Sequence, residues 1–401
     1  MTVTSNVARQ QGIPWLVWAN VIASVCIATG LYWDISWHET IGRDSFWTPA
    51  HLLIQFGAVL AAFGSAWVIM RTTFARPSKP KSGLPGTPGS HGTSYSEARS
   101  ESVNVLGFHA PLGAFIAAWG GGAMLTSAPF DNWWHEAYGL DVKIISPPHV
   151  LLALGIAGIM WGGAILAASH LNRAEGEERK RLQRILLFIG GFVVVQTMTL
   201  KLEYTNRVLL HSAISYLVIS MGTLLLLEGL ARASGYRWAR TAMTGVYLAF
   251  VLGMMWVLPL FPAQPKLGPV YQEITHMVPL PFPMLLVVPA FFLDLIWPVF
   301  KEAPKWQWAI FGGVAFLAIL VAVEWPFATF LMSPAARNRF FATVDFPYFA
   351  LPTSPTVRHV FVPWERSTQE FWRNMGLGFL ASIVSLWIGI YWGEWLKKVR
   401  R

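Results

Sequence analysis

Charge is scarce in this chain. Only 13% of its 401 residues are Asp, Glu, Lys or Arg, against roughly 25% in a typical soluble domain. With 54% hydrophobic residues and a mean hydropathy of +0.46, the composition excludes an ordinary water-soluble domain. Cysteine is scarcer still: Cys26 is the only one. An intrachain disulfide is therefore impossible, and a thiolate metal site has no support. The formal net charge of +9 comes without a basic stripe. Lys and Arg fall in short clusters between apolar runs, which is a membrane-topology pattern and not a nucleic-acid surface.

What is abundant is apolar sequence in lengths that cross a bilayer, about 20 residues each. Ten candidate spans are expected at 13–33, 50–71, 105–127, 148–170, 184–202, 208–231, 241–262, 277–299, 307–330 and 373–396. The expected fold is all-α, a polytopic transmembrane helix bundle. The first run has no small-residue cleavage site after it and reads as a retained helix. With the N-terminus inside, 20 of the 30 Lys and Arg lie on the inner side, including the terminal "KKVRR". The positive-inside rule then puts both termini in the cytoplasm.

The spans divide into two regions. Residues 1–231 hold six, with a Pro/Gly/Ser-rich inner linker at 72–103 that reads as flexible. Residues 232–401 hold four more and a long outer loop at 332–372. The charged connector "NRAEGEERKRLQR" (172–184) is expected to extend a helix.

This topology sends seven of ten histidines and five of six aspartates outward. Two stretches concentrate them. "WDISWHETIGRDSFWTPAHLL" (33–53) carries Asp34, His38, Asp44 and His51, and "FDNWWHEAYGLDVKIISPPHVLL" (130–152) carries Asp131, His135, Asp141 and His149. In each, an aspartate and a histidine four apart share one helix face. A Thr-Pro or Ser-Pro helix start then follows (Thr48–Pro49, Ser146–Pro147), with the last histidine in the first turn. Each helix–loop–helix can bring one carboxylate and two imidazoles to a point.

A lone Asp–His pair or capped helix start is commonplace, but the combination occurs twice in equivalent places. Metal binding by Asp34, His38 and His51, and by Asp131, His135 and His149, is the expectation. Asp44 and Asp141 read as loop caps or partners of the histidines. His211, His276, Glu203, Glu273 and His359 read as structural, and His91, His109 and His170 lie on the inner side. The donor set leaves the metal open: two imidazoles and a carboxylate suit copper, iron or zinc.

At these motifs the sequence resembles the C subunit of the copper membrane monooxygenases, the family of particulate methane monooxygenase and ammonia monooxygenase. That subunit carries Asp-x3-His-x12-His, which Asp34, His38 and His51 match, and "RDSFWTPAH" resembles its "RD-x-x-FTPSH". Its second motif, Asn-x3-His-x13-His, matches the spacing of Asp131, His135 and His149, with Asp in place of Asn. The resemblance covers roughly residues 13–231. Four further spans follow it here, and the soluble copper domains of the family's B subunit are not in this chain.

The resemblance implies copper as cofactor, dioxygen and a small apolar or weakly polar substrate as reactants, and the bacterial inner membrane as location. The first triad would be catalytic, with coordination positions open for dioxygen. An electron donor such as a quinol, further monooxygenase-type subunits and an oligomer are the partners to expect. Rival readings are a metal-ion or proton transporter, which would carry the same residue types, and a non-catalytic metal-binding subunit. A di-haem carrier would need paired histidines deep in the spans. A di-iron hydroxylase would need His-x3-His clusters, and the chain has none.

Overall fold

A computed structural model describes residues 14–42, 47–74, 102–139, 146–207, 209–266, 270–344 and 364–401. Within them the chain is an all-α polytopic bundle. Its helices are α1 (Trp15–Thr40), α2 (Pro49–Phe74), α3 (Leu112–Tyr138), α4 (Pro147–Leu171), α5 (Gly176–Thr199), α6 (Ala213–Ser234), α7 (Ala239–Val257), α8 (Val287–Phe300), α9 (Lys305–Leu331) and α10 (Thr368–Leu396). Eight of them are long and apolar enough to cross a membrane. The exceptions are α3, which is long but carries Asp131, Asn132, His135 and Glu136, and α8, which has 14 residues.

Sequential helices pack antiparallel, and their contacts use small residues that let backbones approach. Gly113, Gly120 and Gly162 lie against backbone atoms across the α3–α4 contact, and Gly389 and Gly393 do so between α10 and α6. Gly121 of α3 lies against Ala62 of α2. The C-terminus of α1, the N-terminus of α2, the C-terminus of α3 and the N-terminus of α4 therefore share one end of the bundle, called here the motif end.

Eight of the ten expected spans are helices long and apolar enough to cross, with shifted boundaries. Helix α1 runs seven residues past the expected 33, so Asp34 and His38 are helical. The charged connector does extend a helix, since α5 starts at Gly176. Residues 105–110, expected at the start of the third span, instead belong to an antiparallel hairpin, β1 (Val103–Val105) with β2 (Phe108–Ala110). Leu106 and Gly107 turn it with positive φ.

The largest departure is the expected span 277–299, of which only Val287–Phe300 is helical. Pro279, Pro281 and Pro283 remove every second N–H and fix φ, so the preceding stretch stays extended. Its buried backbone donors find partners elsewhere, as non-helical chain inside a membrane bundle must. Met277 N donates to Phe261 O at 3.0 Å, Val278 N to Thr40 Oγ1 at 2.7 Å and Met284 N to the Tyr247 hydroxyl at 3.1 Å. Leu285 N donates to the Glu324 carboxylate.

A second irregularity interrupts α6, where Met221 is extended and Gly222 has φ 78°. The Lys201 ammonium satisfies the break, donating to Ile219 O at 3.1 Å, Met221 O at 2.6 Å and Thr223 Oγ1 at 2.8 Å. Away from the motif end, Glu228 of α6 is fully buried between Arg232 and Arg240 and accepts from Trp308 Nε1. Arg240 also donates to Asp294 at 2.8 Å.

Candidate metal centres

The first triad is assembled from the last turns of α1 and the first turn of α2. The i, i+4 spacing places Asp34 and His38 on one face of α1. Thr48 caps α2, its Oγ1 accepting from His51 N at 3.3 Å, which fixes His51 as the third helical residue. His51 Nε2 lies 3.1 Å from Asp34 Oδ1, and His38 Nε2 lies 3.9 Å from Asp34 Oδ2. Asp34 and His51 are half-buried, whereas His38 is exposed.

The opposite face of α1 is held by the C-terminal half of the chain. Ser36 Oγ donates to Val278 O at 2.6 Å, and Thr40 Oγ1 accepts from Val278 N and donates to Ser36 O. Lys266 N adds a bond to Ile41 O at 3.1 Å. The helix end bearing Asp34 and His38 is thus clamped between α2 and the extended segment before α8.

The second triad joins α3 to α4. Asp131 Oδ1 lies 3.4 Å from His149 Nε2, and Asp131 Oδ2 lies 3.4 Å from His135 Nε2. Both imidazoles are oriented through their other nitrogen. His149 Nδ1 is 3.0 Å from Ser146 Oγ, and His135 Nδ1 is 3.3 Å from Gly139 O. Such contacts fix the ring and turn Nε2 toward a ligand. Ser146 occupies the cap position of α4, yet its hydroxyl serves His149 and not the helix backbone. Phe130, Trp133, Trp134 and Tyr138 form an aromatic cluster beside this triad.

The two hairpins are built alike well below the triads. Gly57 and Gly155 each stand six residues after the second histidine, and Ile27 and Met124 each stand seven before the aspartate. A Cβ on Gly57 would meet Ile27 Cγ1 at 2.6 Å and Ala23 O at 2.9 Å. One on Gly155 would meet Met124 Cγ at 2.6 Å and Gly120 O at 2.8 Å. The repeated wording of the sequence is thus a repeated helix crossing, and it sets both triads at the same height. Ala62 and Gly121, in contact between the hairpins, stand 11 residues from His51 and 10 from Asp131.

Each triad has the dimensions of a cation site. Ligand atoms ~2.1 Å from a common ion in tetrahedral array stand about 3.4 Å apart. The ligand atoms within each triad all lie within 4.8 Å of one another. Asp34 Oδ1 and Asp131 Oδ1 are both buried, and neither has a hydrogen-bond partner although an imidazole nitrogen lies close by. A buried carboxylate oxygen without a donor is costly, and a cation among the three groups removes that cost. The residues present at each triad are compatible with a metal ion.

Among the described residues these two triads are the groups suited to a metal. His211 is buried, with Nε2 3.0 Å from Thr329 Oγ1, and Glu203 lies in a short 3-10 turn. His276 pairs with Pro262 in an isolated bridge. His109 and His170 have local partners, Ser102 with Asn104 and Arg173 respectively. Asp44, Asp141, His91, Asp345 and His359 lie outside the described residues. Sequence reasoning missed the roles of Ser146, Ser36 and Thr40. A hydroxyl three residues before a candidate ligand could have flagged Ser146. The Val278 partner, 242 residues from Ser36, left no local signal.

Comparisons with family models, with curated proteins and with solved structures found no match.

Proposed function

We propose that this membrane protein is a copper-dependent monooxygenase, or the metal-bearing subunit of one, which hydroxylates a small apolar or weakly polar substrate with dioxygen. The observation that carries the reading is the pair of carboxylate–bis-imidazole triads at one end of a membrane bundle, with the two motif spacings described above. Copper follows from the resemblance; the donor set by itself suits iron and zinc as well. When bound, the metal supplies dioxygen activation.

The chain's own residues hold and orient. Asp34 and Asp131 supply negative charge, and the histidines supply neutral Nε2 donors. Ser146 and the Gly139 carbonyl orient the second pair of rings, and Ser36 and Thr40 anchor the first helix end. The apolar helices exclude water and admit a substrate that partitions from the bilayer. The first triad is the catalytic one in this reading, the second a supporting metal site. A quinol delivers electrons, and further subunits complete the assembly. In this reading the membrane is a bacterial inner membrane and the motif end faces outward, an orientation that the Lys and Arg bias supports.

A metal-ion or proton transporter is the second reading. The interrupted α6 and the half-length α8 are features that transporter sites use. Lys201, however, already fills the α6 break.

The test uses protein from native membranes, with any subunits that accompany it, loaded with copper in nanodiscs. It is supplied with a quinol, a small alkene or ammonia, and isotopically labelled dioxygen. Label in the oxidised product supports the reading. Full copper loading with neither oxygen consumption nor labelled product overturns it, and metal flux in proteoliposomes would then favour the transporter.

A further inference from the structure

The hairpin β1–β2, at the end of the bundle remote from the metal centres, has two unlike faces. Val103 pairs with Ala110, Asn104 with His109 and Val105 with Phe108. Side chains alternate across a strand, so Val103, Val105, Phe108 and Ala110 share one face, and Asn104 and His109 the other. The polar face is bonded within itself, with Asn104 Nδ2 3.5 Å from His109 Nε2. On the apolar face Ala110 is buried at the root, whereas Val105 and Phe108 near the tip are exposed. Leu106, in the turn, is 95% exposed, more than any other large apolar side chain among the described residues.

The turn is not one that water selects. Leu106 has φ 51° and Gly107 φ 89°, and a two-residue loop with both φ positive favours Asn-Gly. A leucine in that conformation is strained by its Cβ. Asn104 Oδ1 holds the turn by accepting from Gly107 N at 2.9 Å. A strained and exposed leucine gains nothing from water, but transfer of its side chain to an apolar phase is favourable.

Such a phase lies beside it. On α2, Leu52, Phe56, Phe63, Trp67, Met70 and Phe74 are all exposed, and their spacing puts them on one helix face. The stripe runs ~33 Å along the axis, close to the ~30 Å of a bilayer's hydrocarbon core. It is the lipid face of a span, and Phe74 marks its end. The hairpin is fastened at that point. His109 N donates to Thr73 Oγ1 at 2.8 Å, and the Phe108 ring meets Phe74 edge-on with centroids 6.3 Å apart. Thr73 lies by His109 and Phe74 by Phe108, so the tip extends past the end of α2. It stands two residues beyond Phe108, ~7 Å of strand, and the headgroup layer there is about 5–7 Å thick. Arg71, exposed one turn before Phe74, can carry its guanidinium out to the same layer.

We propose that the hairpin is a lipid-binding foot. Val105, Leu106 and Phe108 sit at the boundary of headgroups and acyl chains, in the leaflet remote from the motif end, with the Asn104–His109 face turned away from the chains. The partner is the phospholipid bilayer, and the contact sets the depth at which the joined ends of α2 and α3 stand. The foot does not depend on what the triads bind.

Site-directed fluorescence of the whole protein in phospholipid nanodiscs tests it. Cys26→Ala removes the one native thiol, and Leu106→Cys then carries an environment-sensitive fluorophore. Val105→Cys repeats the measurement from the same tip. Lys180→Cys, exposed at the same end of the bundle, is the aqueous reference, and Phe63→Cys, in the middle of the α2 stripe, is the acyl-chain reference. The tip label should be blue-shifted from the aqueous reference and lose most of its quenching by iodide. Lipids with a nitroxide near the headgroup should quench it more than lipids with one at the chain end, the reverse of the order at Phe63. Iodide quenching as full as at Lys180 would overturn the proposal. So would a label shielded from iodide and lipid alike, the result that a covering protein partner gives. If the Leu106 variant does not fold, the Val105 position decides by the same criteria.

Discussion

Replacing Gly57 by Ala puts one methyl into the crossing of α1 and α2. That Cβ would stand 2.6 Å from Ile27 Cγ1 and 2.9 Å from Ala23 O. Ordinary carbon contacts are about 3.5–4.0 Å. The Ile27 side chain can turn away, but Ala23 O is backbone, so the helices must part by about half an ångström. Overpacking of this kind costs about 1–3 kcal/mol. The crossing is six residues from His51, ~9 Å along α2, and metal sites tolerate ligand shifts of only about 0.2 Å. If the strain is relieved at the triad, affinity at the first centre falls ~10–100-fold, at 1.4 kcal/mol per tenfold. The second centre, on a separate hairpin, keeps its affinity. Gly155→Ala should produce the mirror image, because Met124 and Gly120 crowd it in the same way. Metal titration of the demetallated protein in nanodiscs, with competing chelators, resolves the two steps. Two unchanged affinities in both variants would refute the reasoning that the glycine crossings set triad geometry.

Ser146→Ala removes the hydroxyl beside His149 Nδ1 and should weaken the second centre by ~10-fold, with no change at the first, in the same titration. Thr40→Val leaves Val278 N buried without its acceptor, a loss of about 1–3 kcal/mol. It should lower the thermal midpoint and loosen the first centre alone. Glu228→Gln weakens the buried pairs to Arg232 and Arg240 and should destabilise by about 3–5 kcal/mol. Its metal content should match wild type if the protein is solubilised gently.

The sequence makes the bundle legible because ~20-residue apolar runs have one stable solution in a bilayer, the helix. The triads are legible for a related reason. Asp34 with His38, and Asp131 with His135, share a helix face by spacing alone, and Thr48 and Ser146 mark where the next helix begins. The stretch before α8 was not legible as an extended segment by hydropathy. "MVPLPFPMLL" is as apolar as a span, and only its alternating prolines say otherwise. Hydropathy also hid the break in α6, because the segment as a whole is apolar enough to span and the partner of the break, Lys201, belongs to another segment. Long-range partners such as Val278 for Thr40 and Leu285 for Glu324 depend on tertiary packing, which no local pattern encodes.

The central claim is that two separate triads each bind one metal ion. It is tested most directly by copper stoichiometry of purified, copper-loaded protein, by elemental analysis against protein concentration. Wild type should hold two ions per chain. Replacing Asp34, His38 and His51 by Ala should leave one, with the helical signature intact, and replacing Asp131, His135 and His149 as well should leave none. A wild type that retains no stoichiometric transition metal, or a six-residue variant that keeps both ions, would contradict the account.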